Sequence, residues 1–210
     1  SVVKNYDTGQ REDSFRVLLN EQVDKMVDHA IEKDYKWAQA LKLQRMFGLR
    51  VQELINLRPE HILFGEQPVV HTRKFGAVDT SNTIFIEKSK GGLSRYLPMP
   101  QDPQALDFLR ELKESTNRGK IFKGLKRNYY CRFMGRLTTE LFGFNCMKTH
   151  EVRKAWASQR YIDEKRELEQ LYNRALSPAE KDSLMGSICK DLGHGAFRND
   201  LKKIYIKSNF

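Results

Sequence analysis

Three stretches of this 210-residue chain carry residues able to act together on a phosphodiester. In Thr149-His150-Glu151-Val152-Arg153 a histidine and an arginine stand three apart, on one face of a helix, so that one phosphate can meet both an imidazole and a guanidinium. In Gly48-Leu49-Arg50-Val51-Gln52-Glu53-Leu54 an arginine sits at a helix entry with Glu53 one turn later. Asp191-Leu192-Gly193-His194-Gly195 precedes a short segment ending in Ile204-Tyr205-Ile206, which supplies a hydrogen-bond donor and then an oxygen nucleophile.

Breaking a phosphodiester without a metal requires cations on the non-bridging oxygens, a nucleophile in line, and an acid for the leaving oxygen. Arginine suits the first task because its planar fork bonds two oxygens at once and stays charged. A phenol with a pKa near ~10 is a poor nucleophile at neutral pH, so surrounding cations must help deliver it as phenolate.

The elements that must position these groups follow from periodicity. Apolar Phe15, Val17, Leu18, Leu19, Val23, Met26, Val27, Ala30 and Ile31 recur at helical spacing, with a break near Asn20-Glu21. Tyr35 to Phe47 reads as a second helix ending at Gly48, and Val51 to Leu57 as a third, stopped by Pro59. Between Ile62 and Pro98 the pattern turns to short β-branched runs, 68–72, 83–86 and 94–98, read as a small antiparallel sheet with Lys88 to Gly92 at a hairpin tip. Helices then return over 104–115, 126–141, 150–161, about 166–176, from Ser177 onward, and 200–205. Ser177-Pro178-Ala179-Glu180 combines an N-cap, a first-turn proline and an acid at the third position. The expected class is α+β, mainly α with a small antiparallel sheet.

The composition is that of a folded domain: 40% hydrophobic and 30% charged residues. Residues 1–13 read as an arm or linker from a preceding domain, and 14–210 as one domain. No apolar run approaches the ~20 residues of a membrane span, and the start lacks the apolar core of a signal peptide, so a cytoplasmic protein without membrane contact is expected. Cys131, Cys146 and Cys189 lack the spacing of a disulfide framework or zinc site, so no metal is expected. A net charge of +10 favours a polyanionic partner, because each phosphate neutralised releases condensed counterions. Lys120, Lys123, Lys126, Arg127, Arg132, Arg136, Lys148 and Lys154 bracket the candidate centre and alternate with Phe122, Tyr129 and Tyr130, as a nucleic-acid surface would.

In this order the motifs resemble the tyrosine recombinase family of phage integrases and Xer-type enzymes: G-x-R-x-x-E, a hairpin lysine, H-x-x-R, L-G-H, and a tyrosine. The resemblance spans Arg50 to Tyr205, about three quarters of the chain. Aligning Ser89-Lys90-Gly91-Gly92-Leu93-Ser94-Arg95-Tyr96-Leu97-Pro98 on the family's hairpin places the catalytic lysine at Lys90, with Lys88 the second choice and otherwise a DNA contact.

The resemblance implies the integrase catalytic-domain fold and attack by Tyr205 to form a 3′-phosphotyrosyl link and free a 5′-hydroxyl. No metal or nucleotide cofactor is then called for. It further implies that Arg50 and Arg153 clamp the phosphate, Lys90 protonates the departing oxygen, His150 assists proton transfer, and His194 bonds a non-bridging oxygen. Glu53 itself is read as doing no chemistry: a carboxylate there can orient a neighbouring Arg or Lys, or be plain helix surface. Duplex DNA is the implied partner, and a homotetramer on synapsed DNA the implied assembly, as suits integration or recombination by a mobile element. The stretch from Arg153 to His194 is longer than the usual family segment, and 163–187 reads as an inserted helical pair.

Each residue also has an ordinary explanation. Arg50 can be a helix-end cation, His150 a residue packed near Trp156, Arg153 a surface partner of Glu151, Lys90 a solvated loop cation, and Tyr205 a half-buried aromatic. Tyr129, Tyr130, Tyr161 and Tyr172 compete as phenols, but all precede His194. A type IB topoisomerase or hairpin telomere resolvase uses similar residues, and a DNA-binding regulator that has lost catalysis keeps the fold. The intact set of six argues against the regulator.

Overall fold

The structure, a computed structural model, describes residues 18–65, 82–87 and 94–193. Among them are seven α-helices: α1 (Asn20–Glu32), α2 (Ala38–Phe47), α3 (Val51–Asn56), α4 (Pro103–Glu114), α5 (Arg127–Phe142), α6 (His150–Tyr172) and α7 (Pro178–Asp191). A sheet of β1 (Ile62–Phe64), β2 (Asn82–Ile86) and β3 (Arg95–Pro98) is inserted between α3 and α4, so the class is α+β as expected.

The helix boundaries have local causes. Gly48 and Gly143 end α2 and α5 in the left-handed conformation, and Asp102 caps α4 by accepting the Ala105 N–H at 2.9 Å, with Pro103 following. The Ser177 capping box forms as read: its N–H donates to Glu180 at 2.8 Å. The helix expected from Tyr35 begins only at Ala38, because Asp34 takes a left-handed φ of 49° and Tyr35 turns back to donate its N–H to the Ala30 carbonyl.

One correction concerns α6. The two helices read over 150–161 and 166–176 are a single helix of 23 residues. Nothing in Ile162-Asp163-Glu164-Lys165 breaks a helix, and side-chain pairs one turn apart staple the junction: Gln159 to Asp163 at 3.0 Å, and Arg160 to Glu164. The segment 163–187 is therefore the second half of α6, a turn at left-handed Asn173, and the first part of α7.

In the sheet, β2 is central and both pairings are antiparallel, with Ile84 opposite Ile62 and Leu97, and Ile86 opposite Arg95. The strand expected over 68–72 lies outside the described residues. The first described strand is Ile62–Phe64, directly after a 3-10 turn at Pro59–His61.

The main core joins α1 to α5, the N-terminal part of α6 and the sheet, with Met26, Leu41, Leu54, Ile84, Met134 and Val152 all fully buried. Each such side chain contributes about 1.5–3 kcal/mol of burial. A second cluster, Ala157, Tyr161, Leu176, Leu184, Met185, Ile188, Cys189 and Leu192, closes α7 against α6. That packing brings the end of α7 back to the start of α6.

Candidate active site

Arg50 is placed where one helix ends and another begins. Gly48, at φ 60°, donates its N–H to the Gln44 carbonyl at 2.9 Å. A Cβ there would stand 2.5 Å from Cε3 of Trp156, so the turn needs glycine both for its conformation and for its packing. Two residues on, Arg50 is the N-cap of α3: Glu53 accepts its backbone N–H at 2.8 Å and its Nη1 at 3.0 Å.

Glu53 is buried, and arginines converge on it. Arg95, on β3, donates Nη1 to Oε1 at 2.9 Å and Nη2 to Oε2 at 3.0 Å, and Nη1 of Arg153 lies 3.9 Å from Oε2. Burial alone would raise the carboxyl pKa. The hydrogen bonds and charge of Arg95, the Arg50 N–H and the charge of Arg153 outweigh it and hold the pKa at about 2. Glu53 is thus a fixed anion inside the fold.

Arg153 is wholly buried and does not pair with Glu151, which instead binds Lys154 at 2.7 Å. Its Nη1 donates to the Gly48 carbonyl at 2.6 Å and its Nη2 to the Leu192 carbonyl. One guanidinium therefore ties α6 to the turn before Arg50 and to the end of α7.

His150 opens α6 and is exposed at the protein surface. Loss of hydration against its neighbours, and then the charges of Arg153, Lys154 and Arg50, lower its pKa to about 4, so the imidazole is neutral at pH 7. Trp156, six residues further along α6, covers Gly48 with its indole and donates Nε1 to the Met46 carbonyl at 3.0 Å.

Gln44 completes the frame. Buried on α2, it donates Nε2 to the carbonyls of Leu49, at 2.9 Å, and Thr149, at 3.2 Å, the residues just before Arg50 and His150. Its Oε1 accepts the Tyr130 hydroxyl at 2.9 Å. That commitment, and burial that raises the Tyr130 pKa well above 10, remove this phenol as a nucleophile.

Arg50, Arg127, His150 and Arg153 line one open cleft of about 240 Å³. The first residues of three helices border it: Val51 and Gln52 of α3, Arg127 of α5 and His150 of α6. Helix N-termini carry partial positive charge and N–H groups not used within the helix, so they add to the arginines and favour an anion.

Of the other expected DNA contacts, Lys123, Lys126, Arg127, Lys148 and Lys120 are exposed. Lys126 lies over the Tyr129 ring at 5.7 Å, and Lys120 donates to Asn56 at 3.2 Å. Lys154 is half-buried on Glu151. Lys88, Lys90, His194 and Tyr205 lie outside the described residues.

Sequence reading missed Gln44 and Arg95. Both had a signal: Gln44 interrupts the apolar stripe of Ala40, Leu41, Leu43 and Phe47, and Arg95 shares the inward register of β3 with Leu97. A polar group on a core face must find a buried partner.

Among the described residues no helix is long and apolar enough to cross a membrane, and no group of three His, Cys, Asp or Glu could hold a metal ion. No curated protein sequence matches the chain significantly. The sequence profile of the integrase family matches residues 7–159, a stretch that contains Arg50, Glu53, Gln44, Arg95, His150 and Arg153. With nearly three quarters of its length matched and these side chains gathered at one cleft, the chain belongs to the integrase family of phage-type tyrosine recombinases.

Proposed function

We propose that this protein cleaves and rejoins duplex DNA through a 3′-phosphotyrosyl intermediate, with Tyr205 as nucleophile. The observation that carries the reading is the cleft where Arg50, Arg127, His150 and Arg153 meet beside three helix starts. This concentration of positive charge fits a phosphodiester whose charge grows in the transition state. His150, neutral at pH 7, can accept the phenolic proton as Tyr205 attacks. Arg50 and Arg153 stabilise the pentavalent phosphorane, Lys90 protonates the departing 5′-oxygen, and His194 bonds a non-bridging oxygen. Reversal by the 5′-hydroxyl rejoins the strand, so bond energy is conserved without nucleotide hydrolysis. Lys120, Lys123, Lys126, Arg127 and Lys148 track the flanking backbone, and four protomers act on two synapsed duplexes.

The test is incubation with a nicked suicide duplex drawn from the ends of the native element, in EDTA, followed by denaturing gel and peptide mapping. A covalent adduct on Tyr205 that disappears in Tyr205→Phe, with non-covalent binding kept, is the expected result. Binding without any adduct would favour a regulator that has lost catalysis. Relaxation of supercoiled plasmid lacking the element's ends would favour a type IB topoisomerase.

A further inference from the structure

Arg95 serves neither the cleft surface nor an ordinary surface ion pair. It is buried on β3, and its fork occupies both oxygens of Glu53, at 2.9 and 3.0 Å. Its Nε donates to the Asp191 carbonyl, at the end of α7. The same carboxylate oxygens hold Arg50: Oε2 takes its backbone N–H and Oε1 its Nη1. Four donors among the described residues thus reach the carboxylate, and two of them come from Arg95.

With Arg50 alone, Oε2 would be held by a backbone N–H but Oε1 only by the guanidinium that is to be oriented, so the carboxylate could still rotate about its terminal bond. A bidentate guanidinium stops that rotation, because both oxygens must lie in the plane of the fork. Arg95 is itself braced, through the pairing of β3 with β2 opposite Ile86. Gly193 closes over the pair. A Cβ at that position would stand 2.9 Å from Nη1 of Arg95 and 3.3 Å from Nη1 of Arg50, so the backbone there leaves the two guanidiniums little room to move.

We propose that Arg95 is a positioning residue: by locking the Glu53 carboxylate it fixes the direction of the Arg50 guanidinium at the cleft. This rests on the recombinase reading for its catalytic consequence, though not for its geometry. The charge of Arg95 is not sufficient for the task, since an ammonium at the same place is a point donor that cannot span both oxygens.

The experiment uses the full chain and has two arms. In the first, single-turnover cleavage of the suicide duplex is measured for Arg95→Lys, Arg50→Lys and the double variant. Arg95→Lys is expected to slow cleavage about 10–100-fold with duplex affinity kept, the usual scale for loss of an orienting partner. In the Arg50→Lys background the same change is expected to cost less than about threefold, because its route of action is already gone. Equal losses in both backgrounds would overturn the proposal. In the second arm, the Arg50 guanidinium N–H resonances of the DNA-free protein are followed by NMR, assigned through Arg50→Lys. They are expected to be resolved in the parent protein and averaged in Arg95→Lys, and unchanged signals would overturn the proposal. Should the parent protein form no adduct, the recombinase reading fails while this second arm still decides the positioning role. If Arg95→Lys does not fold, Arg95→Gln is read the same way. Unfolding of both would assign Arg95 to stability alone.

Discussion

Nη1 of Arg50 and Nη1 of Arg95 meet at a single atom, Oε1 of Glu53, at 3.0 and 2.9 Å. Two cations from an α-helix cap and a β-strand are thereby held side by side on one buried anion. The recombinase family to which the chain belongs acts on a polyanion, and such a frame keeps one arginine facing outward while the other stays inside.

The depressed pKa of Glu53 makes this frame sensitive to acid. With a folded value of about 2 against 4.5 for the ordinary group, its ionisation stabilises the protein fully above pH 4.5, and the contribution is lost as pH falls toward 2. The effect is on the order of 3 kcal/mol at neutral pH. Glu53→Gln should lose stability in urea denaturation at pH 7, with the gap to the parent protein shrinking by more than half at pH 3. A constant gap would mean that charge is not what Glu53 supplies.

Arg50 and Arg153 should separate in their stability effects. Arg153→Ala leaves the Gly48 and Leu192 carbonyls without their donor and removes a buried charge facing Glu53, so a loss of about 3–5 kcal/mol is expected. The Arg50 side chain is partly exposed, and Arg50→Ala should cost far less while slowing cleavage by ~100-fold or more. Thermal unfolding and single-turnover assays of the two variants check the contrast.

His150 should titrate near pH 4 in the DNA-free protein, as followed by its imidazole proton signals and assigned through His150→Gln. Because the folded value lies below the ordinary 6.5, the unfolded chain takes up the proton first. His150 therefore reduces stability as pH falls from 6.5 to 4. Adding duplex should raise the pKa, because a phosphate offsets Arg153, Lys154 and Arg50. No upward movement would place the bound phosphate elsewhere.

Gln44→Leu keeps the volume on α2 but strips a partner from the Leu49 and Thr149 carbonyls and from the Tyr130 hydroxyl. Each buried polar group left unmatched costs about 1–3 kcal/mol, so a clear fall in melting temperature is expected. Cleavage should slow more than DNA binding weakens, since the loosened residues directly precede Arg50 and His150. Tyr130→Phe, which leaves both carbonyl bonds intact, should be milder in both measurements.

The sequence by itself determined what depends on near neighbours. The helices over 104–115 and 126–141, the Ser177 box, the Gly48 stop and the place of Glu53 one turn after Arg50 all arise within a few residues, where spacing and side-chain type decide the outcome. The same locality let the H-x-x-R stretch be read as one helical face. A polar composition after Tyr161 was a weaker guide: it suggested a break where pairs such as Gln159 with Asp163 sustain one helix. Only the tertiary structure decided how the parts combine. Arg95 reaches Glu53 across 42 positions, Gln44 reaches Thr149 across 105, and Arg153 reaches Leu192 across 39. A side chain buried on a core face has to be matched by whatever polar group the fold brings to it, and composition and periodicity carry no information about which group that is.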